Sequence, residues 1–100
     1  MTITIRRVPG ERRTVVVISG AVDAWAVPSL RRALAKALRA GDPILVDLTQ
    51  ATSIHRTGLA ALMAAHRRAD RLGTSLLLCA ERAQIRAIFA AYGILPEEPH

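Results

Sequence analysis

The stretch SIHRTGLAALMAAHRR, residues 53–68, begins with an imidazole, a guanidinium and a hydroxyl in a row, His55, Arg56 and Thr57, directly ahead of a helical apolar pattern. A helix entrance concentrates unpaired N–H groups and the positive end of the helix dipole, so an acid, a hydroxyl or a phosphate is favoured there. Two potentially cationic side chains held close would cost about 0.3 to 1 kcal/mol against the dipole, less where an exposed arginine swings into water. Such a trio suits either acid–base chemistry by His55, with Asp47 upstream and Thr57 beside it, or recognition of a partner by an altered helix entrance.

The other titratable residues do not reinforce the catalytic option. Asp23, Asp42, Asp47 and Asp70 include no pair at a helical or strand spacing that would join two carboxylates in one site. Asp42 follows Gly41 and reads as a turn residue. Asp47 lies near the end of an apolar strand, where an unpaired carboxylate is costly, so it needs N–H donors from the loop after it and a structural role is expected. His55 and His66 lack the tight spacing of a metal site, and His100 falls in the tail. Cys79 is the only cysteine, which excludes an internal disulfide and a multi-cysteine zinc site, and at the end of an apolar strand it reads as a small buried hydrophobe. There is no GxGxxG, P-loop or GxSxG. A protein that is not an enzyme and carries no cofactor or metal is expected.

The elements that must position His55 to Thr57 follow from the apolar pattern. TITIRRV alternates with Ile3 and Ile5 on one side, VPGERR is a turn, and TVVVIS is a β-branched run suited to a strand covered on both faces. VPSLRRALAKALRAG places Val27, Leu30, Leu34, Ala37 and Leu38 on one helix face, with Pro28 in its first turn and Gly41 at its end. PILVDL is a strand and TQATSIHR a loop. A second helix runs from about Thr57 to Leu72, with Leu59, Leu62, Met63, His66 and Ala69 on one face and Gly73 as its stop. TSLLLCA is a strand, and ERAQIRAIFAAYG a third amphipathic helix with Ile85, Ile88, Phe89 and Tyr92 in a stripe. The expected order is β-β-α-β-α-β-α in one domain over residues 1–100, with 95–100 as a tail. Strands alternating with helices imply a largely parallel α/β sheet, joined by right-handed crossovers, with the one-faced helices packed on it.

Composition adds the boundaries. The chain is 51% hydrophobic but only 3% aromatic, so aliphatic side chains must supply the core, with Trp25, Phe89 and Tyr92 as the only large rings. Thirteen arginines and one lysine against eight acids give a net charge of +6. The arginines come in scattered pairs without interleaved aromatics, which argues against a specific nucleic-acid surface. The opening MTITIRRVPGERR reaches charge and a turn before any apolar run of signal-peptide length, and no segment approaches the roughly 20 residues of a membrane span. A cytoplasmic protein without membrane insertion is expected.

Three segments in order, GAVDAWAVPSLRRAL, ILVDLTQATSIHRTGLAALMAAHRRA and TSLLLCAERAQIRAIFAAYGI, resemble the signature segments of STAS domains, the anti-sigma-factor antagonist family. The resemblance covers nearly the whole chain. It implies a four- or five-stranded sheet with helices on one side, and bacterial protein–protein switching in transcription regulation in place of catalysis. In antagonists of this family the loop before the second helix reads Asp-Ser-Ser-Gly or Asp-Ser-Thr-Gly. Its first serine is phosphorylated by an anti-sigma factor that is also a serine kinase, and phosphorylation releases that partner.

Matched on Gly58 and Leu59, this chain reads His55-Arg56-Thr57-Gly58. His55 thus stands at the acidic position and Arg56 at the phospho-acceptor position, so the standard serine switch is missing. Thr57 matches the second hydroxyl, whose expected role is to cap the helix by accepting a backbone N–H. Thr57 and Ser53 are the alternative acceptors. The resemblance implies partner binding through the Asp23–Pro28 loop, the Thr52–Gly58 loop and the second helix, with Asp23, His55, Arg56, Thr57 and Gly58 as the binding residues. The partner implied is an anti-sigma factor with a kinase-like fold. The family's alternative is an accessory subunit of a lipid-transporting ABC system, with an ATPase as partner.

Overall fold

Residues 1–8, 10–91 and 93 are described by the structure, a computed structural model. Tyr92 of the expected helical stripe, the tail at 95–100 and Pro9 of the opening turn lie outside the described residues. The chain runs through β1 (Thr2–Val8), β2 (Arg13–Val22), a single 3-10 turn (Ala24–Ala26), α1 (Val27–Arg39), β3 (Ile44–Ile54), α2 (Arg56–Arg71), β4 (Leu76–Cys79) and α3 (Ala83–Ala91). Among the described residues, four strands form one sheet in the order β1-β2-β3-β4. β1 and β2 are an antiparallel hairpin, whereas β2, β3 and β4 are parallel, so α1 and α2 are the crossovers between neighbouring strands. The expected element order and the largely parallel sheet are both present.

Strand register explains which residues are buried. Ile5 opposes Val16, Val16 opposes Val46, and Val46 opposes Leu78, a continuous apolar row across the sheet. Side chains alternate between faces, so this row and its neighbours Ile18, Ile44, Leu48 and Leu76 point to one side. They share one core with Leu30, Leu34 and Leu38 of α1, Leu59 and Leu62 of α2, and Ile85 and Phe89 of α3, which places the helices on that face. The other face presents Val17, Leu45 and Asp47, each half-buried, and Leu77, which is exposed.

The buried residues of α1 are Val27, Leu30, Leu34, Ala37 and Leu38, the stripe its spacing predicts. In α2 the inward face is broader than expected. Ala61 and Ala65 are buried while Met63 and His66 are half-buried, because α2 packs against α1 as well as the sheet and so turns a second side inward. In α3, Ile85 and Phe89 are buried and Ile88 only partly. The helix is tied to the end of β4 by the Arg86 guanidinium, which donates to the Ala80 carbonyl at 3.1 Å. Gly73, at φ 76°, ends α2, and the Thr74 N–H turns back to the Ala69 carbonyl at 3.0 Å.

Trp25 departs from expectation. It is 92% exposed and contributes nothing to the core, leaving Phe89 as the large ring buried there among the described residues. No helix among the described residues is long and apolar enough to cross a membrane.

Candidate functional site

Two parallel strands carry the candidate residues to the same edge of the sheet. β2 and β3 continue past the positions at which their apolar runs stop. Gly20 opposes Ala51, Ala21 opposes Ser53, and Val22 opposes Ile54. The segment expected as a Thr52–Gly58 loop is therefore strand to Ile54, a single residue at His55, and helix from Arg56. The physical reason is pairing. Polar TQATSI has no strand periodicity of its own, yet its backbone groups are satisfied by the extended end of β2. The His55 N–H then donates to the Val22 carbonyl at 2.7 Å, setting His55 beside the end of β2, where Asp23 follows. Asp23 and His55 thus lie at adjacent carboxyl ends of parallel strands, the edge at which open α/β sheets present their ligand sites.

The extended pairing needs a bulge. Val17 opposes Asp47 but Ser19 opposes Gln50, so β3 carries an extra residue at this point. Asp47 manages it: its Oδ1 accepts from the Thr49 N–H at 2.9 Å and from the Thr49 hydroxyl at 2.6 Å. The structural role expected for Asp47 is present, but the donors come from the strand itself instead of a following loop. Among the described residues, the side-chain hydrogen bonds of Asp47 go to Thr49 and those of His55 to Thr57, so no hydrogen bond links Asp47 to the pair.

At the helix entrance, the imidazole takes the place of an acid. His55 is the residue preceding α2, with extended backbone (φ −73°, ψ 150°), and its Nδ1 accepts from the Thr57 N–H at 3.2 Å. The Thr57 hydroxyl lies 2.8 Å from the same nitrogen and is placed to donate to it. A neutral imidazole with its lone pair on Nδ1 thus performs the cap that Asp or Ser usually provides. The expectation that Thr57 caps the helix is corrected, since its hydroxyl turns to His55 and it is the Thr57 N–H that is capped. Helix α2 also begins at Arg56, not Thr57. Arg56 is exposed in the first turn, where its cation can stay in water, away from the dipole. His55→Ala should lower stability by about 0.5 to 2 kcal/mol, as other cap deletions do, and His55→Asp should recover most of it. Thermal unfolding of the two variants would check this, and equal losses in both would mean that the ring packs without capping.

Gly58 lies beneath this surface and is buried. A Cβ there would stand 2.8 Å from Val22 Cγ1 and 3.5 Å from Ile54 Cγ1. Val22 is fully buried and its branched side chain has no free rotation to yield. Glycine therefore lets the first turn of α2 sit directly on the ends of β2 and β3, and its part in the site is to place its neighbours. Gly58→Ala should destabilise by about 1 to 3 kcal/mol through overpacking, despite alanine's better helix propensity. Denaturant midpoints decide the sign, and a stabilised variant would show that the contact relaxes freely.

Asp23 caps the 3-10 turn, its Oδ1 accepting from the Ala26 N–H at 3.0 Å. That turn holds the exposed Trp25 on the surface, where with Asp23, Ile3, Ile5 and Ser29 it lines an open groove of about 510 Å³. Trp25 lies within the Asp23–Pro28 loop expected to bind a partner, but the sequence does not single out the residue itself as a site residue. Its signal was its position, a large ring in a turn, ahead of the apolar stripe that starts at Val27. On the other side of the helix entrance, Leu59, Ala60 and Met63 form a hollow of about 230 Å³ between Arg56 and Arg67.

The remaining candidates sit apart from this edge or play structural parts. Ser53 is exposed within β3, opposite Ala21, and not at the helix N-terminus. Asp42 receives the Arg7 guanidinium at 2.7 Å, tying β1 to the turn after α1. His66 faces Asp70 one turn on at 3.9 Å. Cys79 is buried at the end of β4. Among the described residues, no group of three or more His, Cys, Asp or Glu is gathered as a metal site would require.

Comparison with known proteins places this arrangement. No curated protein sequence matches the chain. Solved structures similar to it include the Bacillus cell fate determinant SpoIIAA in the phosphorylated form, at TM-score 0.81 and 14% identity, covering 99% of this chain and 92% of that one. The anti-sigma factor antagonist SpoIIAA in its unphosphorylated form aligns at TM-score 0.80 and 16% identity, over 99% and 90% of the two chains. An anti-sigma factor antagonist from Mycobacterium paratuberculosis aligns at TM-score 0.79 and 21% identity, over 96% and 87%. At these identities the likeness establishes the fold. The family model described as "Mlab, STAS domain" matches residues 6–95, a span that takes in the end of β1 and every later strand and helix, and the chain accordingly belongs to the STAS domain family.

Proposed function

We propose that this STAS domain is a non-catalytic interaction module that acts as an anti-sigma-factor antagonist in bacterial transcription regulation, binding an anti-sigma factor of the serine-kinase type without the standard serine switch. Its setting in this reading is the cytoplasm. The binding surface is the sheet edge at which Asp23, Trp25, His55, Arg56 and Thr57 lie together, with Gly58 setting its height. The observation that carries the reading is the α2 entrance. In a fold shared with antagonists, the first helical position is exposed and chemically distinctive, and it bears an arginine where the family's acceptor serine would be. A guanidinium there cannot be phosphorylated by a serine kinase, so binding in this proposal is constitutive.

A second reading, an accessory subunit of a lipid-transporting ABC system, is kept because the matching family model is named Mlab, not for an antagonist. The same surface would then meet an ATPase. Isothermal titration of the protein against a serine-kinase-type anti-sigma factor and, separately, an ABC ATPase from the same genome distinguishes the two. Binding of the anti-sigma factor, weakened about tenfold or more by Arg56→Glu, supports the proposal. Binding of the ATPase alone overturns it in favour of the second reading.

A further inference from the structure

We propose that the groove between α1 and α2, away from the sheet edge described above, docks an acidic amphipathic helix of a partner protein. The groove is about 480 Å³, and its floor is formed by Leu34 and Leu38 of α1 and by Ala61, Ala64 and Ala65 of α2. Arg31, Arg68 and Arg71 form its rim, and none of the three has an ion-pair partner among the described residues. Among the described residues, no acidic side chain lines it.

Charge decides the occupant. Over Val27–Arg39 and Arg56–Arg71 the two helices carry eight basic residues, Arg31, Arg32, Lys36, Arg39, Arg56, Arg67, Arg68 and Arg71, against the single acid Asp70. The excess on this one layer, eight bases against one acid, therefore exceeds the positive excess of the whole chain, +6. Like charges at this density repel one another, and a negative partner relieves that repulsion while steering its own approach. A second copy of the chain is the wrong occupant, because a two-fold contact through this groove would set arginine against arginine.

Shape decides that the acidic partner is a helix. The floor runs along the seam of two helices and α1 alone spans about 20 Å at 1.5 Å per residue, a length that suits a partner helix of about four turns. The low alanine side of the seam admits leucines spaced i, i+3, i+4, i+7, with glutamates flanking that stripe facing the arginine rim. Nucleic acid would find guanidinium groups but, among the described residues, no aromatic ring on which to stack, since the floor they form is aliphatic.

The test uses fluorescence anisotropy with three labelled, helix-stabilised peptides of about 16 residues. All share one Leu/Ala stripe, and the flanking positions are Glu, Gln or Lys. The Glu peptide should bind at least about tenfold more tightly than the Gln peptide, weaken with added salt, and show no counterpart in the Lys peptide. Arg68→Glu with Arg71→Glu should reduce its affinity about tenfold or more, and Ala64→Phe, which fills the floor without changing charge, should do so as well. These sites are exposed, so circular dichroism should show the variants folded. Arg56→Glu, which lies outside the groove, should weaken peptide binding far less than the rim pair does, which separates this groove from the anti-sigma-factor surface. Equal binding of the Glu and Gln peptides, or insensitivity to the rim and floor variants, overturns the proposal. So does tighter, rim-dependent binding of phosphatidylglycerol vesicles or of duplex RNA than of the Glu peptide.

Discussion

Phe89→Ala is expected to lower the stability of the domain by about 3 to 5 kcal/mol, and Leu62→Ala by about 2 to 5 kcal/mol. Both side chains are fully buried, and each reaches the shared core from a different helix. Among the described residues the core is otherwise aliphatic, and the exposed Trp25 gives it no large ring to shift into the space that Phe89 would leave. A domain of this size has a total stability of about 5 to 15 kcal/mol, so either change removes a large part of it. Ile88→Ala should cost less than Phe89→Ala because Ile88 is only partly buried, and the exposed Arg67→Ala should change little. Denaturant midpoints across the four variants test the orientation of α2 and α3 together. An Ile88→Ala loss as large as that of Phe89→Ala would show that α3 presents a different side to the sheet.

The second large effect is close to all-or-none. Incubated with an anti-sigma factor of the serine-kinase type and ATP, the wild-type protein should remain unmodified, whereas Arg56→Ser should accept phosphate. The substitution places a hydroxyl at the first position of α2, where unpaired backbone N–H groups and the helix dipole stabilise a phosphate's negative charge. His55→Asp with Arg56→Ser is the fuller restoration, since it returns the acid at the neighbouring position and keeps a cap on the helix. Partner binding by wild type should persist in the presence of ATP. Mass spectrometry reads the outcome directly. Stoichiometric phosphate on wild-type Thr57 or Ser53, with release of the partner, would overturn constitutive binding. Thr57 has the better placement of these two, because its hydroxyl is exposed in the first turn of α2, whereas Ser53 sits in β3.

The parts of the fold legible in the amino-acid order are those in which burial repeats at a local interval. TVVVIS and ILV become the two central strands, and Leu30, Leu34 and Leu38 turn together onto the sheet, because a helix or strand against a flat core hides every third-to-fourth or every second side chain. Arg56 at the helix entrance was legible in the same way, since the glycine and apolar run that follow it mark where α2 must begin. What lay beyond local reach was decided by which chain runs alongside. TQATSI is polar and reads as a loop, yet it is strand as far as Ile54 because the end of β2 pairs with it and Asp47 closes the bulge between them. That pairing brings the His55 N–H to Val22, and the imidazole so placed, not the Thr57 hydroxyl, caps α2. Gly58 follows the same logic, its missing Cβ explained only by Val22, which is distant in sequence and 2.8 Å away in space. Trp25 reaches the surface because Asp23 holds the turn before α1, and no periodicity records that. Side-chain repetition can be read one element at a time, whereas strand ends, caps and close approaches depend on backbone and side-chain partners supplied by another part of the chain.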